Sequence, residues 1–129
     1  MPDTIPTSIS PWLNVKNSKK ALSFYQNAFA AVETFHLDGD DESIVAKLSI
    51  NGAEFWIGEE SFNDGNASPQ SLNGTSVRMI LTVNNPDEVF ANALKAGATE
   101  IFPVSEEHGW RLGKLIDPFG HCWEIGRPI

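Results

Sequence analysis

Glu124 and Arg78 are the residues with which this chain can do chemistry. A carboxylate held in a cavity serves as a general base, and a guanidinium beside it stabilises a developing oxyanion. Trp12 and Trp56 add flat aromatic surfaces suited to stacking an organic ring or covering a cation. The one thiol, Cys122, has no histidine evidently placed to activate it, so a small buried filler is the better reading. The histidines are scattered: His36 in an outer strand, His108 in a loop, and His121 on the strand parity opposite to Glu124.

A repeat ties these residues together. The string Gly52-Ala-Glu-Phe-Trp-Ile-Gly58 returns as Gly120-His-Cys-Trp-Glu-Ile-Gly126, 68 residues later, and the same offset lays Ile9–Val15 over Val77–Val83. Trp56 and Glu124 are therefore twins, as are Ser10 and Arg78. Two segments in one register, separated by a tolerant loop, are the mark of a duplicated module.

Each half predicts strand, helix, then three strands. In the first, Ile9–Val15 alternates as a strand, and Asn17 or Ser18 caps a helix whose apolar stripe is Leu22, Tyr25, Ala28 and Phe29. Strands at Val32–Leu37, Ser43–Ile50 and Glu54–Ile57 follow, the last two joined by the hairpin signal Asn51-Gly52. Glu60–Thr75, rich in Gly, Asn and Ser, is the linker. In the second half, Val77–Val83 precedes a helix opened by Asn85-Pro86-Asp87-Glu88, buried through Val89, Phe90, Ala93 and Leu94, and ended by Gly97. Strands at Thr99–Val104, Arg111–Ile116 and His121–Ile125 complete it, with a tight reversal at Asp117-Pro118-Phe119-Gly120. The expected class is α+β: one domain over 1–129 holding module one (about 7–59), the linker (60–75) and module two (about 76–127), the tandem βαβββ units forming a curved mixed sheet around a cavity.

Strand alternation assigns the cavity wall. If Glu124 points inward, so do Cys122, Ser10, Trp12, Asn14, Glu54, Trp56, Arg78, Ile80 and Thr82. Such a wall suits a small organic ligand, with tryptophans to stack and Arg78 and Glu124 to fix a polar group. Equally, Arg78 and Glu124 can neutralise one another while the tryptophans fill space.

Composition narrows the partners. Nine Lys and Arg against 17 Asp and Glu leave a net charge of −8, which repels nucleic acid and anionic lipid. The acids gather at Asp38–Glu42, Glu59-Glu60 and Glu106-Glu107, either as solvated loops or as a rim attracting a cation. A single cysteine, no apolar run of bilayer length, and a start without the basic and apolar pattern of a secretory signal predict a cytoplasmic protein with no membrane partner.

The repeat, the helix text Ala21-Leu-Ser-Phe-Tyr25, the ending Leu94-Lys-Ala-Gly-Ala98 and above all Asp117-Pro-Phe-Gly-His-Cys-Trp-Glu-Ile125 resemble the glyoxalase, bleomycin-resistance and extradiol-dioxygenase superfamily, the vicinal oxygen chelate proteins. The resemblance covers nearly the whole chain. It implies a homodimer, and in metal-dependent relatives four ligands, usually His or Glu, from the first and last strand of each module. Those positions here are Ser10, Trp56, Arg78 and Glu124, so only Glu124 matches a family ligand. One carboxylate cannot grip a catalytic ion, Arg78 adds positive charge, and an indole offers no lone pair at its nitrogen. A divalent metal is therefore disfavoured; a site shifted onto Glu54 is the other arrangement. His108-Gly-Trp-Arg111 also departs from a family segment, with Trp110 where an acid is common. Two functions follow from the resemblance. One is a homodimeric binder of a small aromatic or cationic molecule without the usual metal. The other is a metal-dependent lyase, isomerase or dioxygenase, or an enzyme using Glu124 as base and Arg78 for an oxyanion.

Overall fold

A computed structural model describes residues 4–129. Module one runs β1 (Trp12–Val15), α1 (Ser18–Phe29), β2 (Val32–Asp38), β3 (Ile44–Ile50) and β4 (Ala53–Glu59). A short helix, α2 (Pro69–Leu72), lies between the modules. Module two repeats the pattern with β5 (Arg78–Thr82), α3 (Pro86–Ala96), β6 (Thr99–Glu107), β7 (Trp110–Ile116) and β8 (Cys122–Pro128). The four-stranded sheets have the same order, β1-β4-β3-β2 and β5-β8-β7-β6, each with its first strand parallel to its last. The α+β class and the tandem βαβββ units are those that the repeat predicts.

The first strand is shorter than alternation suggests. Pro11 has no N–H to give a ladder, and although its carbonyl accepts from Trp56 N at 2.9 Å, the sheet begins only at Trp12. Ser10 thus precedes β1, and strand parity does not assign its direction. The segment 60–75 is also more ordered than its composition suggests: Ser61 and Asn66 form an isolated bridge, and Ser68, wholly buried, caps α2.

Both sheets turn one face into a shared core. Leu13, Val15, Leu48, Phe55 and Ile57 meet it from sheet one; Leu81, Leu115, Trp123 and Ile125 from sheet two. Helices α1 and α3 pack together within it, α1 against β3 and β4 and α3 against β6, β7 and β8. The ring centroids of Phe55 and Trp123 are 5.6 Å apart, so the sheets touch directly. Alternate residues on every strand consequently look away from this core, and Trp12, Glu54, Trp56, Arg78, Ile80 and Glu124 lie on those two outer faces.

A carboxylate joins the modules. Asp117, 3% exposed, opens the turn before β8. Its Oδ1 accepts from the backbone N–H groups of Phe119 (2.9 Å) and His121 (3.0 Å), and its Oδ2 from Trp123 Nε1 (2.9 Å) and from the Tyr25 hydroxyl on α1. Four donors compensate its burial. Burial and then the neighbouring charge push the Tyr25 hydroxyl well above its ordinary range, so it remains a donor. His121 makes a second link, donating from Nε2 to the Asn14 carbonyl at 2.9 Å.

Candidate functional site

The outer face of sheet two is charged. Arg78 on β5 and Glu124 on β8 meet at 2.8 Å through Nη1 and Oε2, the guanidinium 62% exposed and the carboxylate 17%. Lys114 stands opposite Glu124 on β7, and its Nζ lies 5.9 Å from the Phe102 ring centre. Arg78, Glu124, Lys114, Phe102, Ser105 and Glu107 are among the residues lining a recess of about 430 Å³. An adjoining recess of about 230 Å³ is more apolar, with Ile80, Trp110 and Leu112 in its wall.

The outer face of sheet one is aromatic. Trp12 and Trp56 stack with ring centroids 5.7 Å apart and planes inclined by 15°, and Phe35 meets Trp56 edge-on at 5.7 Å. Gly58 makes room for the stack: a Cβ there would lie 2.6 Å from Trp12 Cζ2. Lys47 Nζ sits 5.3 Å from the Trp56 ring centre and 3.4 Å from the Glu54 carboxylate.

The expected wall residues therefore fall into two groups. Trp12, Trp56 and Glu54 share sheet one's outer face; Arg78, Ile80 and Glu124 share that of sheet two. Asn14 turns its amide aside, donating from Nδ2 to the Ala67 carbonyl at 3.3 Å. Cys122, 7% exposed, lies opposite Arg78 in the ladder, and among the described residues no histidine is bonded to it. Lys114 and Lys47 escaped sequence reasoning because the offset that aligns the last strands misses them by one residue. Two residues separate the paired Ile50 and Ala53, whereas three separate their counterparts Asp117 and His121, joined from Asp117 N to the His121 carbonyl, so these lysines are 67 apart rather than 68.

Much of the acidity has structural work. Glu59 accepts from the backbone N–H groups of Asn17 and Ser18, each at 2.8 Å, and from the Ser18 hydroxyl at 2.8 Å, closing the N-terminus of α1. Burial pushes its carboxyl up, but these three donors outweigh it and the pKa falls below the ordinary glutamate value. Glu60 is lowered chiefly by the Ser68 N–H, at 2.9 Å. Asp87 is lowered by Arg111, which grips it with Nε at 2.7 Å and Nη2 at 2.6 Å. Hydrogen bonds to Asp38 and then Glu33 raise His36, on the exposed strand β2.

The four positions that the resemblance marks for metal ligands do not fit a metal. Ser10 precedes the sheet, Trp56 stacks on Trp12, Arg78 is a cation, and Glu124 is held by Arg78. Among the described residues, no three His, Cys, Asp or Glu side chains gather as a cation site. Glu54 is paired with Lys47.

No family model matches the sequence. The chain is 36% identical to an uncharacterized protein of Mycobacterium bovis, over 97% of this chain and 86% of that protein. It is 30% identical to an uncharacterized protein of Arabidopsis thaliana, At5g48480, over 80% of this chain and 67% of that protein. The solved structure of that Arabidopsis gene product superposes with a TM-score of 0.76 at 29% identity, covering 95% of this chain and all of that one (100%). At the level of fold alone, the fosfomycin resistance protein FosX from Listeria monocytogenes superposes with a TM-score of 0.73 at 19% identity, over 98% of this chain and 96% of that one. The chain belongs to one family with these Mycobacterium and Arabidopsis proteins, and it shares the fold of the fosfomycin resistance protein.

Proposed function

We propose that this protein is a cytoplasmic homodimer that binds a small, flat organic molecule in a cavity without the metal its superfamily commonly uses. One observation carries the reading. The positions that would hold the ion are occupied by a stacked tryptophan on one sheet and an arginine–glutamate pair on the other, both on outer faces. Those faces also expose apolar area that the chain leaves uncovered: Trp12 is 47% exposed, Phe35 46%, Leu37 56% and Phe102 59%. A second copy related by a two-fold axis sets sheet one of one subunit against sheet two of the other. The aromatic stack then faces the charged recess, and together they enclose the ligand. Lys47 already stands over Trp56 where a ligand cation would sit, so stacking of a ring is the better use of the indoles. Among the described residues, no helix is long and apolar enough to cross a membrane.

Light scattering on the eluting protein, followed by a thermal-shift comparison of aromatic compounds with nickel, zinc and manganese ions, tests this. The expected result is a dimer stabilised by organic rings and unaffected by the ions. A monomer at micromolar concentration, or stabilisation by an ion alone, overturns it, and the latter restores the metal-dependent enzyme.

A further inference from the structure

We propose that the outer face of sheet two receives a small carboxylate with an apolar body, its anionic group between Lys114 and Arg78 and its body on Ile80, Trp110 and Leu112. This names the ligand class of the binding reading above and rests on it. The internal repeat supplies the control. On sheet one, Lys47 lies opposite Trp56, beside Phe35, and is neutralised by Glu54 at 3.4 Å. Lys114 is its counterpart on sheet two, opposite Glu124 and beside Phe102. There the place of Glu54 is taken by Cys122, 68 residues later, which carries no charge to offer. The nearby carboxylate, Glu124, bonds Arg78 instead, at 2.8 Å. Among the described residues, Lys114 forms no ion pair.

Arg78 binds Glu124 through Nη1 alone. Among the described residues its other N–H groups bond no acceptor, which leaves them for a second oxyanion, received by a guanidinium in bidentate fashion. The remaining acid of the recess, Glu107, pairs with Trp110, four residues from Lys114 along β7, or about 13 Å at the usual strand rise. One end of the recess therefore presents two cations against one engaged carboxylate. The adjoining apolar recess shares Leu112 and Glu124 with it, so an apolar body extends from the charged end without leaving the sheet. A ligand cation placed there would meet Lys114 and Arg78 instead.

Isothermal titration of the full chain with benzoate and 2-naphthoate, against benzamide and benzylammonium, tests the assignment. Both carboxylates are expected to bind at least about 10-fold more tightly than the amide and the ammonium. Lys114→Met should weaken carboxylate binding by a similar factor and remove its selectivity. Lys114→Arg should restore most of it, and Lys95→Met, an equal loss of charge at the end of α3, should leave it unchanged. The thermal midpoint of each variant separates misfolding from lost recognition. Rings that bind without preference for the carboxylate, or Lys114→Met binding benzoate as well as the parent, overturn the ligand class and leave the binding reading standing. If none of the four probes binds, both readings fall.

Discussion

The two modules share a scaffold and differ on the faces it leaves free. On the core side the twins are alike: Leu13 and Leu81, Phe55 and Trp123, Ile57 and Ile125 all fill buried positions of the same kind. On the outer side Trp12 faces Ile80, Trp56 faces Glu124 and Glu54 faces Cys122 across the repeat. Burial held the first set to apolar residues, since deleting or enlarging a packed side chain costs several kcal/mol. The second set, Cys122 apart, lies outside the buried core and forms an aromatic surface in one copy and a charged recess in the other. A duplicated fold thus provides two outer faces of different chemistry from one architecture.

The largest break in that comparison is at the joint, which only the second module carries. Asp117→Ala removes the acceptor of four buried donors, and a loss of about 4 kcal/mol is expected in urea unfolding. Asn51→Ala, in the corresponding hairpin of module one, should cost about 1 kcal/mol or less. Similar costs at both turns would show that the modules are held by apolar packing alone.

The twin glycines sharpen the contrast. At Gly126 an added Cβ would lie 2.5 Å from the Arg111 carbonyl and 2.4 Å from Leu112 Cβ, whereas at Gly58 its nearest neighbour is the half-exposed Trp12 ring. Gly126→Ala must displace backbone and should cost about 3 kcal/mol; Gly58→Ala need only tilt an indole and should cost about 1 kcal/mol. Thermal denaturation gives the ranking, and loss of the near-ultraviolet circular dichroism of the stack in Gly58→Ala checks its cause.

The smallest effect concerns how the two helices begin. Helix α1 has a local cap, Asn17 Oδ1 accepting from Lys20 N, and in addition Glu59 from a strand 41 or 42 residues away, while α3 is capped by Asn85, whose Oδ1 accepts from Glu88 N. Because the folded pKa of Glu59 is depressed, its contribution is present above the ordinary glutamate pKa and fades as pH falls through the lower folded value. Glu59→Gln should lower stability by about 1 kcal/mol near neutrality and flatten the acid limb of the stability curve. Parallel acid limbs in parent and variant would assign that pH dependence to other carboxylates.

The repeat made the fold readable because strand and helix periods survive in both copies, and the outer aromatic and charged residues followed from parity. Ser10 failed that treatment because Pro11 interrupts the ladder before parity applies. Asp117 resembled an ordinary turn residue, since its tie to Tyr25 spans 92 positions and leaves no local pattern. Glu59 and Glu60 looked like a charged rim for the same reason: a cap supplied from another element has no spacing to detect. Lys114 was hidden by one extra residue in a turn, which breaks a fixed offset while preserving the ladder.

The bond between Tyr25 and Asp117 also has a consequence for synthesis. A ribosome that has released only the first module has released Tyr25 and Phe55 without the aspartate and tryptophan they are to meet. Those rings have each other but lack these partners until the turn before β8 emerges. The halves are therefore expected to settle together only once the segment 117–125 is free to act as the clasp.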